Sequence, residues 1–381
     1  MKVLFVTLFP LENNTSVTIS NYGILSGLYK LGHDVTILMP YASDTDMPIP
    51  YDLSMFRIVR IEGMPFDQLR NVPVRQSIRF KLRRKYRKMI EFLDFTRPYL
   101  KSAKNVSIIN EHFDLIISTS DPKTSHVFVK KMIKNGLRYT RWIQHWGDPM
   151  FGDITRSNCY PDWVIKLYER SIIKMADKIV YVSPFTADML RENHSSLSNK
   201  ISFVPLPCIE ADYTEEMYKK DKSTLKLVYL GDYSPSIRNI IPLYEAVKPM
   251  KNVELTIAGI SSLKLDNTDN ITILPRIPQE ECLKLEKEAD VLVTVCNLRG
   301  TQIPGKLYYS AGSQKHMLVI LDGDNKEALQ EYLESYNRYI VCDNIEESIR
   351  CMLYKISSIN CDKYQVPCIL LPKNNVQQII I

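Results

Sequence analysis

What most constrains this chain is a regular alternation of short apolar runs with amphipathic segments. KVLFVTLFP, at the N-terminus, is a run of β-formers closed by Pro10. A polar loop follows, and then Ile19, Tyr22, Leu25, Leu28 and Leu31 recur at three-residue spacing before Gly32 and the strand-like DVTILMP. A helix packed between two strands fits that spacing, so the segment reads as a βαβ unit. The pattern returns at FDLIISTS, at RYTRWIQHW after the helical HVFVKKMIKNG, and at DKIVYVS after DWVIKLYERSIIKMA. Strands alternating with helices predict a parallel sheet covered on both faces.

From PLPC to DKST the chain turns polar and charged, with little to bury, and alternation restarts at LKLVYLG and runs through HMLVILD. At 381 residues the chain suits two domains rather than one core. We expect a Rossmann-like domain over 1–207, a linker over 208–224, a second such domain over 225–365 and a tail over 366–381 returning to the first. Two doubly wound domains that face each other would bind ligands at the carboxyl ends of their sheets, around an interdomain crevice.

Composition excludes several classes. The longest apolar runs, such as LVYL, VLVTV and MLVIL, are strand-length and far short of the roughly 20 residues of a membrane span. The apolar start MKVLFVTLFP gives way to Pro10 and LENNTS with no small-residue cleavage site, so it reads as a first buried strand rather than a leader. Eight scattered cysteines show no CxxC and no short Cys/His spacing, which predicts neither a zinc site nor a disulfide framework and suits a cytoplasmic chain. The DxD-like triplet Asp44-Thr45-Asp46 reads as a turn, and no metal or cofactor is expected.

A dinucleotide would need GxGxxG after a first strand, and the two corresponding loops read TLFPLENNTS and GDYSPSIRN. Hydride transfer is therefore disfavoured. QIPGKLYYSAGSQKHMLVI, 302–320, offers a different phosphate site: a Pro-Gly pair, Lys306, then helix-forming character. Unpaired amides and about half a positive charge at a helix start attract a diphosphate, Gly305 allows close approach, and Lys306 adds a full charge. On the plainer reading Pro304 starts a helix and Lys306 is solvated.

Three stretches of the second half, LVYLGDYSPSIRNIIPLYEAV, ITILPRIPQEECLKLEKEADVLVTV and QIPGKLYYSAGSQKHMLVIL, resemble the nucleotide-binding domain of family 4 glycosyltransferases of GT-B architecture, particularly those of bacterial surface polysaccharides. The first half resembles them more loosely through MKVLFVTLFP, LYKLGHDVTIL and ADKIVYVS. The resemblance implies a donor site in which Gly231 lets the nucleotide approach, Arg238 and Lys306 with the amides near Gly305 clamp the diphosphate, and Arg276 and Ile277 lie beside the base. Such a clamp stabilises the charge on a departing nucleoside diphosphate without a metal. Two glutamates usual to that family are replaced by Thr301 and Tyr309, with Gln302 beside them, and neither hydroxyl is a bidentate acceptor for a ribose diol.

In the first half, RWIQHWGDPM ends a strand with His145 and Asp148, which the resemblance places near an acceptor hydroxyl, one of them as general base. A packed histidine and a turn-forming aspartate remain the alternative. Asp121 and His126, after another strand, are lesser candidates, and Asn14, Thr15 and Ser16 are expected to line the acceptor pocket unless they simply cap a helix. The stretch 75–88, RQSIRFKLRRKYRK, has eight cations and no acid around the apolar positions Ile78, Leu82 and Tyr86. That pattern suits a helix lying on an anionic membrane more than one binding nucleic acid. A helix packed on the core with a solvated basic back is the plainer alternative.

Together these readings predict a glycosyltransferase that moves a sugar from a nucleotide-sugar donor, a UDP-sugar first of all, to a glycan acceptor, lipid-linked, at the inner face of a membrane. The resemblance implies retention of anomeric configuration. The alternatives are a catalytically silent GT-B subunit that scaffolds an active partner, and a GT-B sugar-nucleotide epimerase.

Overall fold

The computed structural model describes residues 1–13, 15–42, 52–66, 69, 93–156, 158–210, 224–359 and 364–381. They form two compact units, Met1–Leu206 with Pro372–Ile381, and Pro207–Leu371. The basic stretch 75–88, the Asp44-Thr45-Asp46 triplet and Asn14 lie outside the described residues.

The first unit is built on seven parallel strands: β1 (Lys2–Val6), β2 (Asp34–Pro40), β3 (Arg57–Ile61), β4 (His112–Thr119), β5 (Arg138–Trp146), β6 (Lys178–Tyr181) and β7 (Ile201–Phe203). Their order is β3-β2-β1-β4-β5-β6-β7, so β1 pairs with both β2 and β4, Val3 lying opposite Val35 and Leu115. Helices α1 (Ser16–Lys30), α2 (Thr124–Lys134), α3 (Asp162–Ile173) and α4 (Pro184–Asn193) connect them. The strands are apolar on both faces because both are covered. Leu4 and Val6 enter one core with Trp142 and Trp146, while Val3 and Phe5 enter another with α1.

The second unit has six parallel strands in the order β10-β9-β8-β11-β12-β13. These are β8 (Leu225–Leu230), β9 (Val253–Ala258), β10 (Ile271–Leu274), β11 (Val291–Val295), β12 (His316–Leu321) and β13 (Ile340–Asp343). Helices α5 (Ile241–Val247), α6 (Gln279–Glu288), α7 (Lys306–Tyr309), α8 (Lys326–Glu334) and α9 (Glu346–Ser358) accompany them. Leu227 and Tyr229 face one core and Val228 and Leu230 the other. Of the segment 208–224, Cys208 and Ile209 are held in this unit by their amides, which donate to the carbonyls of Leu370 (2.7 Å) and Tyr309 (2.9 Å), and residues 211–223 lie outside the description.

The last helix, α10 (Pro372–Ile380), belongs to the first unit, where it lies on α1. Val376 and Ile379 are fully buried, Asn375 Nδ2 donates to the Pro205 carbonyl at 2.8 Å, and Lys178 Nζ donates to that of Gln378 at 2.8 Å.

One element departs from expectation. The helix foreseen after Gly305 is a single turn, α7, followed by a 3-10 turn over Ser310–Gly312. At Gly312 a Cβ would sit 2.1 Å from the Ile209 carbonyl oxygen, so the backbone of 208–209 runs directly against the segment. Tertiary contact and the weak helix formers Ser310, Gly312 and Ser313 stop the helix.

Candidate active site

In open parallel sheets a ligand sits where the strand order reverses. In the second unit that point lies between β8 and β11, at the loops that follow them. Gly231 follows β8 with a positive φ of 156°, and donates its amide to the Ala258 carbonyl at 2.8 Å. A Cβ on its neighbour Gly259 would lie 2.1 Å from the Gly231 carbonyl oxygen, so the two strand ends meet backbone to backbone. The stem of Lys306 lies over Gly231, its Cε 3.8 Å from where a Cβ would stand.

Arg238 crosses the reversal point. Its Nε donates to Asn297 Oδ1 at 2.9 Å, Asn297 Nδ2 donates to the Gln302 carbonyl at 2.8 Å, and the Leu298 amide donates to the Ile237 carbonyl at 2.8 Å. The loops after β8 and β11 are thereby locked with a guanidinium between them. Lys306 is half-buried, and loss of solvent lowers its pKa, opposed by Glu286 and Cys282 on α6 and by Asp232, and reinforced by Arg238. Glu286 is pushed up by burial against the pull of Lys306. Two cations held together in a partly desolvated place favour an anion between them.

The remaining donor-side residues divide. The Arg276 side chain forms an ion pair with Asp232, whose Oδ1 accepts from the Ile260 amide at 2.9 Å, so Arg276 reaches the loop after β8. Ile277 packs its side chain into the apolar layer with Val228 and Leu230. Gln302 contributes its carbonyl to Asn297, Thr301 is half-buried, and Tyr309 is only 8% exposed with its carbonyl holding Ile209. At Tyr309, burial leaves little phenol surface for a ribose. Asp232, Asn297 and Glu286 went unnoticed in the sequence because their relation to Arg276, Arg238 and Lys306 spans 44, 59 and about 20 residues of chain.

The first sheet reverses between β1 and β4. After β4, Lys123 Nζ lies 3.2 Å from Asp121 Oδ1 and 2.9 Å from Asp153 Oδ2. Burial works against the Lys123 charge, but Asp121, Asp153 and Asp148 outweigh it and raise its pKa. The Asp121 carboxyl, with 38% of its side-chain surface still exposed, is pushed up by lost solvation and, against Lys123, by Asp148 and Asp153. Burial also opposes Asp153, but Lys123 and Thr155 hold it below the usual carboxylate range. The loop that carries Asp148 and Asp153 is anchored from below. Buried Glu169 accepts the Met150 amide at 2.7 Å through Oε1 and meets His194 Nε2 at 3.2 Å through Oε2.

Two histidines here are interior. His145 is 2% exposed and burial lowers its pKa to about 4, a neutral and weakly basic ring. His126 stacks on Trp146 with ring centroids 4.3 Å apart. Trp142 Nε1 donates to Ser118 Oγ at 2.9 Å, and the Ser118 hydroxyl shares a 2.8 Å hydrogen bond with His126 Nδ1. Asp148 is half-buried beside Asp121. Thr15 caps α1, its Oγ1 accepting the Thr18 amide at 3.4 Å, and Ser16 is exposed in the first turn. Among the described residues no group of three or more His, Cys, Asp or Glu side chains could hold a metal, and no helix is long and apolar enough to cross a membrane.

No protein family and no curated protein matches the chain by sequence. Solved structures do match its fold. Sucrose-phosphate synthase from Thermosynechococcus elongatus superposes with a TM-score of 0.60 at 13% identity, over 100% of this chain and 94% of that one. Anabaena HepE in complex with UDP and glucose gives 0.56 at 10% identity, over 100% and 96%. A Listeria monocytogenes protein provisionally described as a UDP-N-acetylglucosamine 2-epimerase gives 0.54 at 10% identity, over 100% and 95%. At such identities the likeness is one of fold: the chain has the GT-B architecture of two parallel-sheet, Rossmann-like α/β domains.

Proposed function

We propose that the protein is a glycosyltransferase that takes a sugar from a nucleotide-sugar donor, a UDP-sugar by preference, and transfers it to a hydroxyl of a lipid-linked glycan in polysaccharide synthesis. The observation that carries this reading is the pair of cations at the reversal point of the second sheet, with Lys306 lying over Gly231 and Arg238 fixed by Asn297. A nucleoside diphosphate seated there would have its developing charge stabilised as the sugar leaves. HepE, of the same fold, has been crystallised with UDP-glucose, which supports the choice of donor. In the first unit, Asp121 with Lys123 is suited to orient the acceptor hydroxyl, with Asp148 and Asp153 tuning the pair. His145 is less suited than the sequence suggests, since a buried ring with a pKa near 4 is a poor proton acceptor at neutral pH.

In this scheme the clamp requires no metal, the anomeric configuration is retained, and the basic stretch 75–88 holds the protein to the inner face of an anionic membrane. Chelator-insensitive turnover and the anomeric coupling of the product in proton NMR check the first two. The clamp itself is tested by calorimetry with UDP. Lys306→Ala or Arg238→Ala should each weaken binding by about 1 to 3 kcal/mol. Unchanged affinity in both variants rejects the clamp, and no binding of any nucleoside diphosphate by the intact protein would leave the scaffold reading. The Listeria neighbour favours one rival, an epimerase, and appearance of an epimerised free sugar nucleotide would establish it.

A further inference from the structure

Helix α3 carries a stripe that the core of the first unit does not use. Ile165, Glu169, Ile172 and Ile173 turn inward and are buried, yet Trp163 and Leu167, one turn apart, keep 64% and 59% of their surface. No other pair of such exposed large apolar side chains stands one turn apart on a helix among the described residues. The same exposed line continues to Arg170 and to Lys174 just beyond the helix. Burying a tryptophan and a leucine would recover apolar surface that water now covers, so the stripe has the chemistry of a contact.

The surroundings are cationic. On α2, next to α3, Lys131 and Lys134 are exposed, and Lys130 Nζ reaches across to donate to the Ser171 carbonyl at 3.0 Å. The 3-10 turn Arg97–Lys104, which packs on α2, adds three more cations and no acid. Of the two acids on α3, Glu169 is buried and Asp162 is paired with Arg156 at 2.6 Å. A second copy of this chain would present the same charge and be repelled. A nucleic acid would use the cations but gain nothing from Leu167. An anionic bilayer uses both, taking an indole and an aliphatic chain into the headgroup layer and lysines against its phosphates.

We propose that the α2–α3 face is a docking surface for an anionic lipid bilayer, with Trp163 and Leu167 entering the interface. It is separate in the chain from 75–88. It rests on the proposed function only in that a lipid-linked acceptor would then arrive close to the loop after β5. Trp163 lies in the first turn of α3, which follows that loop, and Lys166 Nζ sits 4.1 Å from the ring centre of Phe151, in the loop that bears Asp148 and Asp153.

The chain reports on this contact directly. Of its three tryptophans, Trp142 and Trp146 are fully buried, so Trp163 is the one that solvent or lipid can reach. The full-length protein is mixed with phosphatidylcholine vesicles with and without phosphatidylglycerol, and read by cosedimentation and tryptophan emission, without any turnover assay. Anionic vesicles should shift the emission to the blue and brominated lipids should quench it, Leu167→Ser should reduce both, and Trp163→Ser with Leu167→Ser should abolish cosedimentation. Replacing Lys131, Lys134 and Lys174 by alanine should weaken partition about a hundredfold. Absence of cosedimentation overturns the proposal. So does cosedimentation with unchanged emission, which assigns binding to another surface, and so does a blue shift on raising protein concentration without lipid, which assigns the face to a second copy. UDP binding by the same preparations separates these failures from failure of the transferase reading.

Discussion

At the tip of β4, Lys123, Asp121 and Asp153 decide one another's charge, with Asp148 beside them. Asp121 is held between lost solvation, Asp148 and Asp153, which push its pKa up, and Lys123, which pulls it down. A carboxyl must be ionised to take a hydroxyl's proton as general base, so in the proposed scheme turnover should rise with pH through the folded pKa of Asp121. Lys123→Met removes the opposing cation and should move the acid limb of the kcat/KM profile to higher pH by about one unit or more. Asp121→Asn should lower kcat by about a hundredfold or more while UDP affinity stays put, because the proposed nucleotide site lies in the other unit. His145→Gln should leave the limb in place, and a limb that follows His145 instead would return the role to that ring. Asp121 was visible in the sequence only as one aspartate after a strand; Lys123 and Asp153 lie 30 residues apart and became neighbours through folding.

Among elements, the strand order is stapled by charge as well as by backbone bonds. Glu111, one residue before β4, accepts Lys2 Nζ at 2.7 Å and the Arg57 guanidinium at 3.0 and 2.9 Å, tying together the starts of β1, β3 and β4. Hydrogen bonds from Arg57, then Lys2, hold its carboxyl at about 2 rather than 4.5. A depressed carboxyl stabilises the fold above its unfolded pKa and loses that contribution as pH falls through the folded one. Glu111→Gln should therefore cost about 1 to 2 kcal/mol at neutral pH, after allowance for solvent screening. In denaturant melts the gap should narrow below pH 4.5 and close near pH 2. A gap that ignores pH would mean the residue acts by packing alone. The α7 segment teaches the opposite lesson about elements: its composition reads as the start of a helix, but the close approach of Ile209 at Gly312 ends it after one turn. The proposed phosphate site then rests on Lys306 and Arg238 more than on a helix dipole, which a single turn can hardly supply.

At the scale of the whole molecule, the chain leaves its first unit at Leu206 and returns at Pro372. The returning helix α10 completes the core of the unit it left, since Val376 and Ile379 are fully buried there. Ending the chain at Leu371 should destabilise the first unit by about 4 kcal/mol or more, from the two lost apolar side chains alone. The second unit should keep its own melting transition and its response to UDP. Hydrogen exchange resolved by segment checks this, and equal loss of protection in both units would show that they fold as one.

Alternating apolar runs were enough to specify two parallel α/β sheets, because strand and helix periods are local and each run's apolar faces demand cover on both sides. They also placed Gly231 just past a strand and Arg238 and Lys306 in the connections that follow strands, since the order of elements along the chain follows from the sequence directly. Only the tertiary structure decided which of those side chains have neighbours of opposite charge and which are buried. It put Asp232 on Arg276, Asn297 on Arg238 and Lys123 between two aspartates, and closed the sheet's interior over His145 and His126. Solvation and long-range electrostatics depend on distances between parts of the chain far apart in sequence, and no local pattern records them.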